Sequence, residues 1–159
     1  MKKIVFIIAL TLISIECFTQ TYYEKGYFID NQNSRTDCFI KNSDWKKNPT
    51  SFKYKLSENG EVQNADIINV NEFSVPNSFK FIKAEVDIDI SPSSLKDLSI
   101  DKNPIWEHKQ LFLKVLVEGP ATLYAYYDSK IDERFFYLCN DSAIHQLIYK
   151  EYIYDIGQT

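Results

Sequence analysis

The stretch FKFIKAEVDIDI, residues 79–90, decides the fold of this 159-residue chain. From Ile82 to Ile90 an apolar residue alternates with Lys, Glu or Asp. A period of two places the apolar side chains on one face of a β-strand and the charged side chains on the other. Phe79 and Phe81 have the opposite parity, and a β-bulge near position 81 or 82 is the predicted reason.

The segments that precede this strand also have the features of strands and turns. Residues 22–30 and 35–41 flank the run Asn-Gln-Asn-Ser at 31–34. Turn formers between two strand-like segments predict a hairpin. Residues 51–56 alternate, with Phe, Tyr and Leu on one face and Lys on the other, which predicts a half-buried strand.

Three local features of the chain are less regular. Asn59-Gly60 predicts a tight hairpin turn, because both central residues of that turn need positive φ. Residues 67–75 fit either a short helix or an irregular strand. Residues 91–98 begin with Ser-Pro, which fits the N-cap and first position of a helix, and predict a short helical turn.

The C-terminal half continues the series of strands. Gly119-Pro120 marks a turn between two of them. The predicted fold is mainly β, an antiparallel meander, a sandwich or a curved sheet, with one or two short helical turns. The predicted strands of this half cover residues 111–118, 121–128, 134–140 and 145–153.

The N-terminus has the pattern of a secretory signal peptide. Lysines at positions 2–3 precede the apolar run 4–15, and Cys17 and Thr19 occupy the −3 and −1 positions of a cleavage before Gln20. The apolar run is shorter than the roughly 20 residues that span a bilayer. We therefore expect a signal-peptide helix that is removed, and an exported protein.

The predicted domain organisation is a signal peptide at 1–19 and a single β-rich domain at 20–159. The expected location is the periplasm, the outer-membrane surface or the extracellular space, with no stable transmembrane segment in the mature chain. The last predicted strand lies six residues before Thr159. Truncation of a longer protein at the C-terminus is one interpretation of that ending.

Composition and charge exclude several classes of protein. Gly and Pro number only 4 and 5, which excludes collagen-like and low-complexity chains. The formal net charge is −4, and residues 1–19 contribute +1 of it, so the mature chain carries −5. An acidic domain repels phosphate backbones, so no nucleic acid is expected as a partner.

Cys38 and Cys139 remain after the signal peptide is removed. In an oxidising compartment such a pair is a candidate disulfide, which would close a long loop and stabilise the domain by up to about 4–5 kcal/mol. The alternative is two thiols that never meet, since sequence does not show their separation.

Six strings of the mature chain form a recognisable set: GYFI at 26–29, NPTSFKYK at 48–55, LFLKVLVEG at 111–119, ATLY at 121–124, FFY at 135–137 and QLIYK at 146–150. Together they resemble a group of uncharacterised exported β-rich proteins of Bacteroidota. The similarity covers nearly all of the mature chain, and members of the group are often longer. The resemblance implies a lineage and a compartment, but it implies no functional residues, because the group has no established activity.

Motifs for catalysis are missing from the sequence. His108 and His145 have no second ligand at helical spacing, so no metal is predicted. Asp87 and Asp89 lie on one strand face outside any EF-hand pattern, and a solvated face explains them better than calcium. Nucleophile motifs and Gly-rich phosphate loops are absent. No catalytic residue and no cofactor is predicted, and the sequence favours a protein that is not an enzyme.

Aromatic residues on two neighbouring predicted strands are the remaining functional candidates. Tyr124, Tyr126, Tyr127 and Phe136 form a candidate binding surface, which could stack on a sugar or grip a partner protein. Core packing is the alternative, because about half of the rings must point inward. The predicted function is a structural or partner-binding role in the cell envelope, with an unknown protein or glycan as partner. A carboxylate-dependent hydrolase or sugar-binding fragment is the second hypothesis.

Overall fold

The computed structural model describes residues 22–43, 45–129, 132–140 and 143–154, and the predicted signal-peptide helix lies outside them. Regular structure in these ranges is entirely β-strand. No helix in them is long and apolar enough to cross a membrane. The strands are β1 Tyr23–Asp30, β2 Arg35–Lys41, β3 Ser51–Lys55, β4 Gln63–Asp66, β5 Val70–Val75, β6 Phe79–Asp89, β7 Trp106–Val117, β8 Ala121–Asp128, β9 Asp132–Cys139 and β10 His145–Leu147.

All ten strands belong to one open antiparallel sheet with the order β10-β9-β8-β7-β6-β5-β1-β2-β3-β4. Strands β5 to β10 form a meander, and β1 to β4 form a second one that joins it through the pairing of β1 with β5. The mainly β, antiparallel prediction is confirmed, and a single sheet takes the place of the sandwich alternative.

The sheet carries two hydrophobic cores on opposite faces. We call the side that bears Phe73 and Phe81 face A, and the side that bears Val86 and Leu113 face B. The register of β6 with β5 and with β7 runs without a shift, so the bulge predicted near position 81 or 82 is wrong. The apolar residues at the start of β6 have odd numbers because they pack in the face A core. Those farther along β6 have even numbers because they pack in the face B core.

The face A core lies over β1 to β5, the start of β6 and Phe112 of β7, and aromatic rings form much of it. Phe73 is its centre, stacked on Phe52 at 4.2 Å and on Phe81 at 5.0 Å between ring centroids. Phe52 lies on β3 and Phe73 on β5, which are separated by two strands in the sheet order. The N-terminal half of the sheet therefore curls over face A.

The face B core lies over β6 to β10. Leu113 and Phe136 are fully buried there, with Ile88 beside them. Strand β10 contacts β6, although three strands lie between them in the sheet order. The C-terminal half therefore curls the other way, over face B, and brings β10 close to β6.

The turns match the sequence-based predictions in part. The hairpin at 31–34 is confirmed: Asp30 Oδ1 accepts hydrogen bonds from the N–H groups of Gln32 and Ser34, and Asn33 has a φ of 60°. The tight turn at Asn59-Gly60 is wrong. The register pairs Tyr54 with residue 63, so a longer loop joins β3 to β4. Within it the Gly60 N–H donates to the Ser57 carbonyl at 2.9 Å, and no described glycine has a positive φ.

Two predictions of helix are not confirmed. Residues 91–98 contain a single turn in which the Asp97 N–H donates to the Ser94 carbonyl. The Ser91 N–H is held instead by Asp89 Oδ1 at 2.8 Å, which keeps this segment against the end of β6 rather than coiling it. Residues 67–69 form a turn, and the rest of the ambiguous segment 67–75 is strand β5.

Asn48 lies between β7 and β8 where the two strands separate, and its side chain bonds the backbone of both. Beyond Ala125 the register between these strands stops. The Asn48 Nδ2 group donates to the carbonyls of Phe112 and Ala125 at 2.7 and 3.0 Å, and its Oδ1 accepts from the Tyr127 N–H at 3.0 Å. Its own N–H donates to the Tyr127 carbonyl. One asparagine thus supplies the hydrogen bonds that a neighbouring strand would have made.

Substitution of Asn48 by alanine is expected to lower the free energy of unfolding by about 2 kcal/mol, because it removes three side-chain hydrogen bonds to part-buried backbone groups. Urea unfolding followed by circular dichroism measures the change. Asn69→Ala is the matched control, since the exposed Asn69 side chain donates to the Asp66 carboxylate within its own turn. Equal losses in the two variants would contradict the bridging role.

Candidate functional site

The predicted aromatic surface is divided between core and surface by the structure. Tyr124 and Phe136 are buried in the face B core, and Tyr126 packs against it. Burial, with a smaller contribution from Asp128, raises the pKa of Tyr126 to about 12. Tyr127 lies on face A, where it lines a hollow of about 270 Å³ beside Asn48. Three of the four rings therefore follow the core-packing alternative.

The two cysteines lie on different strands of the sheet, and the structure has no bond between them. Cys38 is buried on β2, and Cys139 is half-buried on β9. Five strands separate β2 from β9 in the sheet order, whereas a disulfide needs Cα atoms within about 7 Å. The disulfide stays a prediction, with two separate thiols as its alternative.

Cys38 is expected to resist alkylation at pH 8 while the protein is folded. Its side chain is 5% exposed, and burial raises the pKa of the thiol to about 11, so almost no reactive thiolate is present. Mass spectrometry of the peptide that contains Cys38, after iodoacetamide treatment with and without urea, measures the labelling. Fast labelling without denaturant would show that the face A core is not formed as described.

The outer surface of β8 to β10, on face A, is apolar where an antiparallel sheet usually presents polar residues to water. The register runs from Val117 across Leu123 and Tyr137 to His145 in one row. A second row joins Ala125, Phe135 and Leu147. Among the described residues of β8 to β10, Glu133 is the one that brings a formally charged side chain to face A. The large apolar residues of this outer patch with a third or more of their surface exposed are Val117, Phe135, Tyr137 and Leu147. His145, at the end of the first row, is also exposed, and Ala125 in the second row is buried.

Face A of the neighbouring strands β6 and β7 has the opposite character. Lys83, Glu85 and Asp87 point to this side from β6, and His108 and Gln110 point to it from β7. The apolar outer patch is therefore a local feature of β8 to β10 and not a general property of the sheet.

A groove of about 710 Å³ separates β6 from β10. Glu85 and Asp87 line it from β6, and the ring of Tyr137 lines it from β9. His108 Nδ1 lies 2.8 Å from Asp87 Oδ1, and Trp106 is 47% exposed at one end. The groove therefore brings carboxylates, an imidazole ring and aromatic rings together at one place on the surface.

Both histidines of the chain line this groove. His145 reaches it from β10, where its ring lies 5.9 Å from that of Tyr137. In the sequence, His108 and His145 are two polar residues near strand ends, with nothing that relates one to the other. The pairing of Asp87 with His108 depends on the register of β6 and β7, and no local signal in the sequence gives that register.

A buried polar cluster lies at one end of the groove. The Arg134 guanidinium donates from Nε to the Asp89 carbonyl at 3.1 Å and from Nη2 to the Ser91 carbonyl at 3.1 Å. Asp89 Oδ1 accepts from Ser91 and Ile105, and the Asp89 N–H donates to Gln146 Oε1 at 2.8 Å. The cluster ties β6, β9 and β10 together through side chains.

Two atoms of this cluster are buried without a hydrogen-bond partner among the described residues. They are Asp89 Oδ2 and Gln146 Nε2. Asp89 is fully buried and Gln146 is 7% exposed. A buried donor or acceptor without a partner costs about 1–3 kcal/mol, so each marks a position where a further polar group is favoured.

The carboxylates considered for calcium do not converge. Asp87 lies in the groove with its side chain 69% exposed, whereas Asp89 is buried in the polar cluster. No group of three or more His, Cys, Asp or Glu side chains in the described ranges is placed to hold a metal ion.

Comparisons with protein-family models, with curated proteins and with solved structures found no match for this chain.

Proposed function

We propose that this protein is an exported, non-catalytic β domain that binds a partner protein in the cell envelope through the outer patch on β8 to β10. The proposal is based on the exposed apolar side chains of that patch. Contiguous apolar surface on a sheet face is covered by another layer or by a partner in most proteins. Export rests on the predicted signal peptide at 1–19.

A second candidate function is binding of a glycan in the groove between β6 and β10. Trp106 and Tyr137 are exposed there beside Glu85 and Asp87, and aromatic rings with carboxylates suit sugar rings and their hydroxyls. Hydrolysis is less favoured, since it needs two carboxylates on opposite sides of the scissile bond. Glu85 and Asp87 lie side by side on one strand.

The double substitution Phe135→Lys with Leu147→Lys tests the proposal. Both side chains are more than a third exposed, so the variant is expected to remain folded. We expect the wild-type protein, solubilised from the envelope of its host, to migrate above its monomer mass on a native gel, and the double variant to migrate as a monomer. Ile68→Lys, at an exposed turn between β4 and β5, is the control and should behave like the wild type. Monomeric migration of the wild type would refute the proposal.

A further inference from the structure

Face B of strands β1 to β3 is a surface rich in lysine, and its described side chains belong to neither hydrophobic core. The register places Lys25 beside Phe39, and Phe39 beside Lys55, in one row across the three strands. Because side chains alternate along a strand, Lys41 on β2 and Lys53 on β3 point to the same face. We call these five residues the lysine face.

Strands β1 to β4 bring two carboxylates to face B, and both have partners of their own. Asp37 is paired with Arg35, whose Nη2 lies 2.9 Å from Asp37 Oδ1. Asp66 Oδ1 accepts from the N–H groups of Ile68 and Asn69 in its own turn. In the described ranges no carboxylate lies within ion-pair distance of the four lysines. The lysine face is therefore locally positive on a chain whose net charge is −4.

The Phe39 ring differs from the other aromatic rings on this side of the sheet. The Lys55 ammonium lies over the Tyr23 ring at 4.7 Å, and the Arg35 guanidinium lies over the Tyr27 ring at 3.8 Å. Among the described residues no ring and no cation is stacked on Phe39, which is half-buried in β2. Its outer surface is therefore open to a ligand.

A hollow of about 430 Å³ lies against the Phe39 ring. The exposed Lys25 lines it, and Leu56 and Pro76 add apolar surface. An open ring with a cation on each side in the row suits a ligand that has apolar ring faces and negatively charged substituents. A sugar that carries a carboxylate, sulfate or phosphate group has both features.

Other polyanions fit this surface less well. Strands β1, β2 and β3 are each paired on both sides, so no strand edge is open to an acidic peptide. The N-terminal half of the sheet curls over face A, so the lysine face is convex and presents few lysines at once to a flat lipid surface. Phe39 is half-buried and does not project far enough to enter a bilayer.

We propose that the lysine face binds an acidic polysaccharide. One sugar ring packs on Phe39, acidic groups bind Lys25 and Lys55, and the chain continues toward Lys41 and Lys53. This site goes beyond the proposed function, because it lies on the opposite face and in the opposite half of the sheet from the outer patch. The domain would then join a partner protein to a polysaccharide.

A titration of the full, ¹⁵N-labelled chain with hexagalacturonate, which has one carboxylate on each sugar ring, tests the inference. Cellohexaose is the uncharged control, and hexaglutamate and hexathymidylate are anions without a hexose ring. We expect hexagalacturonate to shift the amide signals of Lys25, Phe39 and Lys55, and cellohexaose to shift none of them. We expect both other anions to bind about fivefold more weakly or worse, since neither places a sugar on Phe39.

Three results of this titration would overturn the inference. The first is the absence of hexagalacturonate shifts at the lysine face. The second is binding of hexaglutamate or hexathymidylate as tight as that of hexagalacturonate. The third is sedimentation of the chain with phosphatidylglycerol vesicles that hexagalacturonate does not compete away, which would make a lipid surface the ligand.

Variants test the same site residue by residue. Lys25→Glu is expected to weaken hexagalacturonate binding about fivefold or more, because it reverses one charge that touches the ligand. Phe39→Leu keeps an apolar side chain in β2 but removes the ring, and should weaken binding about threefold or more. Lys102→Glu, a matched charge reversal in the exposed loop between β6 and β7, should leave the affinity unchanged. Equal affinities of the Lys25→Glu and Lys102→Glu variants would contradict the site.

The inference and the proposed function fail separately. The Lys25→Glu variant is expected to lose hexagalacturonate binding and to keep the large assembly on the native gel. Monomeric migration of the wild-type protein would refute the partner-binding function even if hexagalacturonate binds at the lysine face.

Discussion

Substitution of Gly26 by alanine is expected to lower the free energy of unfolding by about 3 kcal/mol or more, enough to unfold a marginal domain. A Cβ atom at this position would lie 2.3 Å from the Ser74 carbonyl oxygen, and 3.2 Å from side-chain carbons of Ile40 and Val75. The nearest obstacle is backbone, which cannot rotate away. Strand β1 lies between β5 and β2, so moving it would break one ladder to relieve the other.

Gly119→Ala is the matched control for this prediction. A Cβ there meets nothing closer than the Ala121 carbonyl oxygen at 3.7 Å, which is an ordinary contact. We expect a change within about 0.5 kcal/mol. Urea unfolding monitored by circular dichroism measures both variants. If Gly26→Ala unfolds at the same urea concentration as Gly119→Ala, the close approach of β1 and β5 is incorrect.

Substitution of Phe73 by alanine is expected to lower the free energy of unfolding by about 3–5 kcal/mol. The side chain has no exposed surface, and besides the rings of Phe52 and Phe81 it contacts Phe112, whose centroid lies 5.0 Å away. Its removal leaves a cavity that stacked aromatic rings cannot close, because each is held by its own strand. The same urea titration measures the loss.

Phe135→Ala removes the same side chain from an exposed position and is the control. The Phe135 ring is 38% exposed on the outer patch, so the expected loss is about 1 kcal/mol or less. A loss from Phe73→Ala as small as that from Phe135→Ala would mean that the face A core is not organised around Phe73.

Local alternation in the sequence predicted most of the strands, and β8 at residues 121–128 has the predicted bounds. Strand β7 begins at Trp106 rather than at 111. The sequence did not indicate this start, because residues 107–110 are polar or charged on both faces and show no apolar alternation. Strand β10 ends at Leu147 rather than at 153. Apolar residues continue after it, but their side chains remain exposed, and no further strand forms among the described residues, although the Ile153 N–H donates to the Ser99 carbonyl.

Sequence alone could not predict that the sheet has cores on both faces. Phe81 and Val86 have opposite parity, so on a regular strand they point to opposite faces of the sheet. If the sheet has one core, only a bulge places both side chains on the same face. The observed solution is long-range: the two halves of the sheet curl in opposite directions. The same limit applies to the groove, whose walls come from residues about 60 positions apart in the chain, such as Asp87 and Gln146.

The measurement that tests the central claim most directly is site-specific photo-crosslinking in the native host, with benzoylphenylalanine in place of Phe135 on the outer patch. Ile68, exposed at the other end of the sheet, is the control position. We predict one discrete crosslinked protein from position 135 and none from position 68. No adduct from position 135, or the same set of adducts from both positions, would contradict a partner-binding surface on β8 to β10.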